Sequence, residues 1–508
     1  MKPSLKNCVN IAEQKKFMKI RYLFLISLWL ISLLSACVPS ASQVKEQTFQ
    51  DWVKASPESQ GIDSDKLADM FAAVQAQGIN LHSVLIVRNQ RLVLEAYYDP
   101  YGPDVRHTVE SNTKSIIGAL VGIAIDQGLI KNEDQKLIDF FPGRRIEHLD
   151  ALKQNISLKH LLTMTSGLDC EDQTQAATGM YQSSGWVQYL LDRPVINTPG
   201  EHWAYCSGSV HLLSAVLQKV SGMQTRAYAN RFLFEPLGIT SVEEKDWGGD
   251  PQGFSNGIAG LYLTPRELAR FGLLYLQEGR WNGKQLVSKD WVQKSTAQQV
   301  YIGKSDYTAG MDRRFGYLFS IFPEKGYYGY LGMAGQSLFV FPKENMLVVF
   351  TAGLPVGAEG QLLPLVNDYI LPSIQSGQAL PENPAASQRL TDALALAAGL
   401  SQPLTELPLE AVNISDREIT LDPNPYGWDT LGFTFKNGSS EAVVNVNRTI
   451  QYRMGMDGRY RLTDNQPGRP LGLKARWLDE HSLLVHDISL GEFGLTEIVF
   501  QFEGDQVR

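Results

Sequence analysis

One stretch, Ser111 to Gln127, limits the fold more than any other. Ile116, Ile117, Leu120, Val121 and Ile123 to Ile125 leave a helix there without a polar face. A helix that is apolar all round must be buried by other elements, and Gly128 marks its end. The chain therefore needs a domain large enough to enclose a helix.

The surrounding pattern supplies one. His82 to Val87 and Leu92 to Tyr98, joined by Arg88-Asn89-Gln90-Arg91, predict a hairpin. Gln336 to Phe341 and Met346 to Thr351, around Pro342-Lys343-Glu344-Asn345, predict a second. Ser157 to Met164, His211 to Val220 and, after a Thr264 cap, Pro265 to Gln277 read as helices. The expected class is α/β of the α+β sandwich kind: an antiparallel sheet flanked by helices, with a helical subdomain, over residues 52–376. Residues 377–402, rich in Pro, Ala, Gly and Gln, read as a linker with one short helix. Short alternating runs over residues 403–508 (Glu418 to Leu421, Leu431 to Phe435, Val443 to Val446, Leu471 to Trp477, Ser482 to Val485, Thr496 to Phe502) predict a small all-β module.

The N-terminus reads as an export signal. Lys15, Lys16, Lys19 and Arg21 precede an apolar run, Tyr22 to Leu34, that falls short of the roughly 20 residues of a bilayer span and fits a signal h-region. Leu34-Ser35-Ala36-Cys37 resembles the bacterial lipobox, so Cys37 is the expected lipidation site. Residues 1–36 would then be signal peptide, with the true start at Met18, and residues 37–51 a tether. The expectation is an exported bacterial lipoprotein held at the membrane and facing the periplasm or the cell exterior; an uncleaved signal anchor is the alternative. A net charge of −8 argues against a nucleic-acid partner. Neither cysteine spacing nor histidine clustering suggests a metal site.

Three elements carry chemistry. Ser111-Asn112-Thr113-Lys114 opens the buried helix, and residues three apart share a helix face. Serine needs a nearby base, and desolvation favours the neutral, basic form of a half-buried lysine. Ser42-Gln43-Val44-Lys45 matches the same spacing but lies in the tether. Next, 94 residues after Ser111, comes Tyr205 in Trp203-Ala204-Tyr205-Cys206-Ser207, behind a Pro199-Gly200 turn. A tyrosine beside a lysine can relay a proton; Tyr228-Ala229-Asn230 is a rival placed inside an amphipathic helix. Last, Gly332-Met333-Ala334-Gly335-Gln336 enters the late hairpin, where small residues allow close approach to an acyl group.

In this order the elements resemble the serine β-lactamase and penicillin-binding-protein superfamily, in its class C-type branch of family VIII esterases, D-amino-acid peptidases and 6-aminohexanoate-dimer hydrolases. His160-Leu161-Leu162-Thr163-Met164-Thr165-Ser166-Gly167-Leu168 and the Ile258 to Ala269 stretch resemble further signatures of that branch. The resemblance implies an acyl-enzyme on Ser111, proton transfer shared by Lys114 and Tyr205, an oxyanion held by the Ser111 and Gln336 amides, and no cofactor. Ser207 stands where relatives often have Asn. Met333, Ala334 and Gly335 stand where β-lactamases have Lys-Thr-Gly, which favours an ester, amide or peptide substrate over an antibiotic. Cys170 and Cys206, each behind a site motif, are expected to pair; two buried thiols are the alternative. The expected function is a serine hydrolase acting on a small molecule. A weak β-lactamase or D,D-peptidase is one alternative, and a non-catalytic binding or sensor lipoprotein of this fold is another. A reactive-serine probe separates that last alternative from the enzymes.

Overall fold

The computed structural model describes residues 51–305, 308–464, 468–503 and 506–507. The expected signal segment, Cys37 and the Ser42 motif lie outside the described residues. No helix among the described residues is long and apolar enough to cross a membrane.

Helix α1 (Ser64–Ala76), capped by the Asp63 carboxylate, leads into β1 (Leu81–Arg88) and β2 (Arg91–Tyr97). Asn89 and Gln90 between them have φ of 51° and 62°, the left-handed pair that a two-residue type I′ turn needs. After the short β3 (His107–Thr108) comes α2 (Asn112–Asp126), then α3 (Ser207–Ser221), β4 (Tyr262–Leu263) and α4 (Pro265–Leu276). The chain continues through β5 (Val300–Gly303), β6 (Arg313–Phe315), β7 (Ser320–Phe322), β8 (Tyr327–Gly332), β9 (Gln336–Phe341) and β10 (Met346–Ala352). The main sheet runs β2-β1-β10-β9-β8-β7-β6-β5 and is antiparallel throughout.

Both faces of that sheet are covered, so every residue of β1 is buried. Leu85 and Val87 enter the core shared with α2, α3 and α4. Val84 and Ile86 enter the opposite core, with α1, as the two-residue period of a strand dictates. Residues 112–124 of α2 are all buried. The helix is packed so closely that a Cβ on Gly122 would lie 2.3 Å from the Trp291 indole, whose Nε1–H donates to the Gly118 carbonyl at 3.0 Å.

The stretch expected to be a linker is docked instead. Helix α5 (Pro384–Ala397) is 14 residues long; Leu390 and Ala397 join the core beside α1, and Arg389 reaches Asp65 and Asp69 of α1. The alanines that suggested a flexible composition are the strongest helix formers, and Asn383 caps them with Pro384 at the first position.

The C-terminal module is a nine-stranded sheet: β11 (Glu418–Thr420), β12 (Thr430–Thr434), β13 (Glu441–Val446), β14 (Ile450–Gly455), β15 (Arg461–Thr463), β16 (Leu471–Trp477), β17 (Ser482–Ser489), β18 (Leu495–Glu503) and β19 (Gln506–Val507). Its pairs are antiparallel except β14 with β16, which are parallel. Sequence patterning missed β14 and β15, because their exposed positions hold Gln451, Arg453 and Leu462 without an apolar alternation.

The turn between β17 and β18 rests on the N-terminal domain. The Thr108 amide donates to the Gly491 carbonyl at 2.8 Å. The Tyr262 hydroxyl donates to the Glu492 carboxylate. Arg469 lies 3.4 Å over the Tyr262 ring and shares Asp246 with Arg106. Behind this seam His107 Nδ1 donates to the Thr108 carbonyl at 2.8 Å, leaving Nε2 to accept from His82 Nδ1 at 2.9 Å. Burial lowers both pKa values, that of His107 to about 4 and that of His82 with further help from His107. A histidine depressed in the folded state is protonated first in the unfolded chain, so its contribution is complete above about 6.5. Thermal melts should therefore lose stability as pH falls from about 6.5 towards 4, and His107→Gln should flatten that slope.

Candidate active site

Ser111 is the N-cap of α2, preceded by Glu110 at a φ of 44°. One helical turn on, the Lys114 ammonium is 1% exposed. It donates to Ser111 Oγ at 2.9 Å and to the Ile258 carbonyl at 2.8 Å. The Tyr205 hydroxyl donates to Ser111 Oγ at 3.1 Å, and the Lys114 ammonium lies 5.3 Å from the Tyr205 ring centre. The three residues singled out in the sequence thus meet at one oxygen. Tyr228 is elsewhere, fully buried with its hydroxyl on Gln127.

Close backbone approach makes this convergence possible. A Cβ on Gly257 would lie 2.5 Å from the Val210 carbonyl oxygen, so only glycine lets the Ile258 carbonyl reach Lys114 from beside α3. Asn112 ties the helix mouth to the sheet, donating from Nδ2 to the Val109 and Gln336 carbonyls at 2.9 and 2.8 Å. Glu110, beside the nucleophile candidate, accepts from Thr108 Oγ1 at 2.7 Å. Burial raises its pKa, against the pull of Thr108 and the Lys114 charge.

The structure corrects the reading of the Gly332 to Gln336 segment. Gly332, not Gln336, faces the serine: a Cβ there would lie 3.3 Å from the Ser111 amide nitrogen. Met333 follows at the exposed edge, 36% accessible. Ala334 and Gly335 turn inward. The Ala334 amide donates to the buried Glu359 carboxylate at 3.0 Å, and its carbonyl accepts from the Leu354 amide. Gln336 is fully buried and staples β9 to β10, donating to the Ala352 carbonyl at 2.6 Å and accepting from its amide at 3.2 Å. The strand segment beside the serine is therefore Tyr330-Leu331-Gly332. Tyr330, not anticipated, hydrogen-bonds the Tyr205 hydroxyl at 2.8 Å.

Ser207 is also corrected. Expected to face substrate, it is 2% exposed, and its hydroxyl donates to Asp172 at 2.6 Å. Asp172 also accepts from the Ser207 amide at the start of α3, and its own amide donates to the Tyr205 carbonyl. A serine one residue inside a helix turns its hydroxyl to an acidic partner there, which favours the cap over the pocket. The clasp is covalent too, for Cys170 and Cys206 form a disulfide across 36 residues. A chain starting after Cys37 should show no free thiol when denatured without reductant. Reduction should lower its stability by roughly 3–4 kcal/mol in the chain-entropy model; thiol counting and a denaturant titration check both.

Trp203 lies beside Tyr205, its ring centre 6.2 Å from that of Tyr205 and 5.4 Å from the Arg313 guanidinium. Tyr181, on the helix Gln175–Gln182 inside the disulfide loop, was also missed. Its ring is half exposed, yet desolvation of the hydroxyl, with Asp172 and Glu110 nearby, pushes its pKa up to about 12. Nothing in the spacing of Tyr181 or Tyr330 marks either one in the sequence. Among the described residues no three of His, Cys, Asp and Glu are grouped to hold a metal ion.

Comparison with known proteins bears on this geometry. Residues 67–363, more than half of the chain, match the family model described as Beta-lactamase. The chain is 26% identical over 304 residues to the 6-aminohexanoate-dimer hydrolase of Paenarthrobacter ureafaciens, covering 53% of this chain and 72% of that protein. In fold it is similar to EstCE1, a hydrolase with promiscuous acyltransferase activity. That likeness has a TM-score of 0.51 at 18% identity, over 62% of this chain and 99% of the other.

Proposed function

Because the chain belongs to the beta-lactamase family, we propose that it is a serine hydrolase cleaving an ester or amide through an acyl-enzyme on Ser111. One observation carries the reading: Ser111 Oγ is the shared acceptor of Lys114 Nζ and the Tyr205 hydroxyl.

In this mechanism one member of the Lys114–Tyr205 pair enters in its basic form, as amine or phenolate; Ser111 Oγ attacks the substrate carbonyl and its proton passes to that base. The oxyanion meets the Ser111 amide, at the mouth of α2, and the amide of Met333, which follows Gly332 beside it. The pair returns the proton to the leaving alcohol or amine. Water then attacks the acyl-serine by the same route, releases the acid and restores the Ser111 hydroxyl. Tyr330 holds the Tyr205 hydroxyl in place.

The β-lactamase alternative fits the site less well. Tyr330, Leu331 and Gly332 offer no cation on the strand beside the serine, and the Tyr330 hydroxyl is engaged with Tyr205. A charge-assisted hydrogen bond to a carboxylate is worth about 1.5–3 kcal/mol. A chromogenic cephalosporin should therefore show kcat/KM at least about tenfold below that of the best short-chain p-nitrophenyl ester. A fluorophosphonate probe should label Ser111; an unlabelled serine would support the binding-protein alternative. A cephalosporin turned over faster than every ester would overturn the substrate assignment.

The lipid-anchored location is a proposal on the Leu34-Ser35-Ala36-Cys37 box alone. Mass spectrometry should find an acylated N-terminal peptide starting at Cys37, and an unlipidated terminus beyond it would refute the anchor.

A further inference from the structure

The seam between the catalytic domain and the C-terminal module holds an open-sided cavity of about 260 Å³ that the chemistry above does not use. The catalytic domain contributes His82, Tyr98 and Tyr101 to its wall, and the module contributes Tyr460 and Lys474. His82 is stacked on Tyr101 with ring centres 4.0 Å apart. It is held neutral by burial, so it adds an aromatic face and no charge.

Lys474 is the charged member. Its neighbours on β16, Leu473 and Ala475, enter the module's own core, so strand alternation turns Lys474 outward to the catalytic domain. Its ammonium lies 4.4 Å over the Tyr460 ring and has no ion pair or hydrogen bond among the described residues. The nearby acid, Asp99, is already engaged by the Arg459 guanidinium at 3.2 Å and the Tyr460 amide at 2.9 Å. Burial lowers the Lys474 pKa against the attraction of Asp99. A lysine drawn into an aromatic wall without a partner loses hydration and side-chain freedom for little return. An anion in the cavity would supply the missing contact.

We propose that this cavity is a binding site for a small organic monoanion, a carboxylate with a short apolar or aromatic body. Lys474 pairs with the carboxylate, and the rings of Tyr98, Tyr101 and Tyr460 pack the body. Lys474 supplies a single positive charge, so a second negative charge on the ligand would be left uncompensated, which selects against the phosphate dianion. The volume falls below the roughly 300–1,000 Å³ of sites for drug-sized ligands, which selects a small molecule.

Isothermal titration of the full chain near neutral pH tests the site with three probes: benzoate, its neutral counterpart benzyl alcohol, and inorganic phosphate. Benzoate should bind once per chain, and the other two at least about tenfold more weakly, the weight of one charge-assisted contact. Lys474→Met should weaken benzoate by the same factor, and Lys474→Arg should restore it. In the unmutated protein benzoate should slow reductive methylation of Lys474, read by peptide mass spectrometry, so the test does not depend on a variant folding. Absence of benzoate binding, equal binding of phosphate, or benzoate binding indifferent to Lys474→Met with no protection of Lys474 would overturn the proposal. The last of these would place the ligand elsewhere, the Ser111 pocket included.

Discussion

Ser111→Ala is expected to abolish acyl transfer on every substrate while leaving the melting temperature near that of the wild type. The fold should survive because the hydroxyl is a shared acceptor and not a support. Without it, Lys114 still donates to the Ile258 carbonyl and Tyr205 still meets Tyr330. Lys114→Ala and Tyr205→Phe should each lower kcat by about 10² to 10⁴, the usual weight of a proton-transfer group. Their stability costs should differ. Lys114 is buried and holds a backbone carbonyl, so its loss strands an acceptor at about 1–3 kcal/mol. Phenylalanine at 205 keeps the ring and removes only the hydroxyl contacts. Steady-state kinetics beside thermal melts separate the two effects. Wild-type turnover by Ser111→Ala on any good substrate would remove Ser111 from the chemistry.

Half of that site was legible because it sits where a local rule holds, whereas Tyr205 was reached through the family resemblance. Ser111 and Lys114 are three residues apart at the mouth of a helix with no polar face, so their meeting follows from helix geometry. The hairpins β1–β2 and β9–β10 were legible for a similar reason: polar turns separate continuous β-rich runs. The Gly332 to Gln336 segment failed because which residue faces the serine depends on a three-residue turn. That turn's shape is set by Glu359 and Leu354, more than fifteen residues downstream in the sequence. Ser207 failed likewise, since its partner Asp172 is 35 residues away. The docking of the module, with Gly491 on Thr108 and Arg459 on Asp99, joins segments hundreds of residues apart and leaves no periodic trace. Short-range pattern reported most of the elements and the Ser111–Lys114 pair. Register and partnership at long range came only from packing.

The second large effect is expected at Gly332, and a glycine on the same strand provides the control. Both lie on β8, and neither is there for a left-handed backbone, as Gly332 has a φ of −88°. A Cβ on Gly329 would meet the Leu338 carbonyl oxygen at 2.0 Å, inside the sheet and away from Ser111. A Cβ on Gly332 would meet the Gln336 carbonyl oxygen at 2.9 Å, and both the Ser111 amide nitrogen and Asn112 Nδ2 at 3.3 Å. Those last two groups form the mouth of α2, where the oxyanion would sit. Gly329→Ala should therefore lower the melting temperature strongly, while the molecules that remain folded keep their kcat. Gly332→Ala should do the reverse. Pushing β8 away from Ser111 misplaces an amide donor, and losing one such donor costs about 10² to 10³ in kcat, or about 2.7–4 kcal/mol. Its melting temperature should fall by less than that of Gly329→Ala, because its closest contact, the Gln336 carbonyl oxygen at 2.9 Å, is far looser than the 2.0 Å contact at Gly329. The rate of fluorophosphonate labelling should drop with kcat, since the probe needs the same oxyanion contacts. If Gly332→Ala turns over and labels like the wild type while Gly329→Ala loses activity per folded molecule, β8 does not complete the oxyanion site. The second donor must then be sought elsewhere around Ser111.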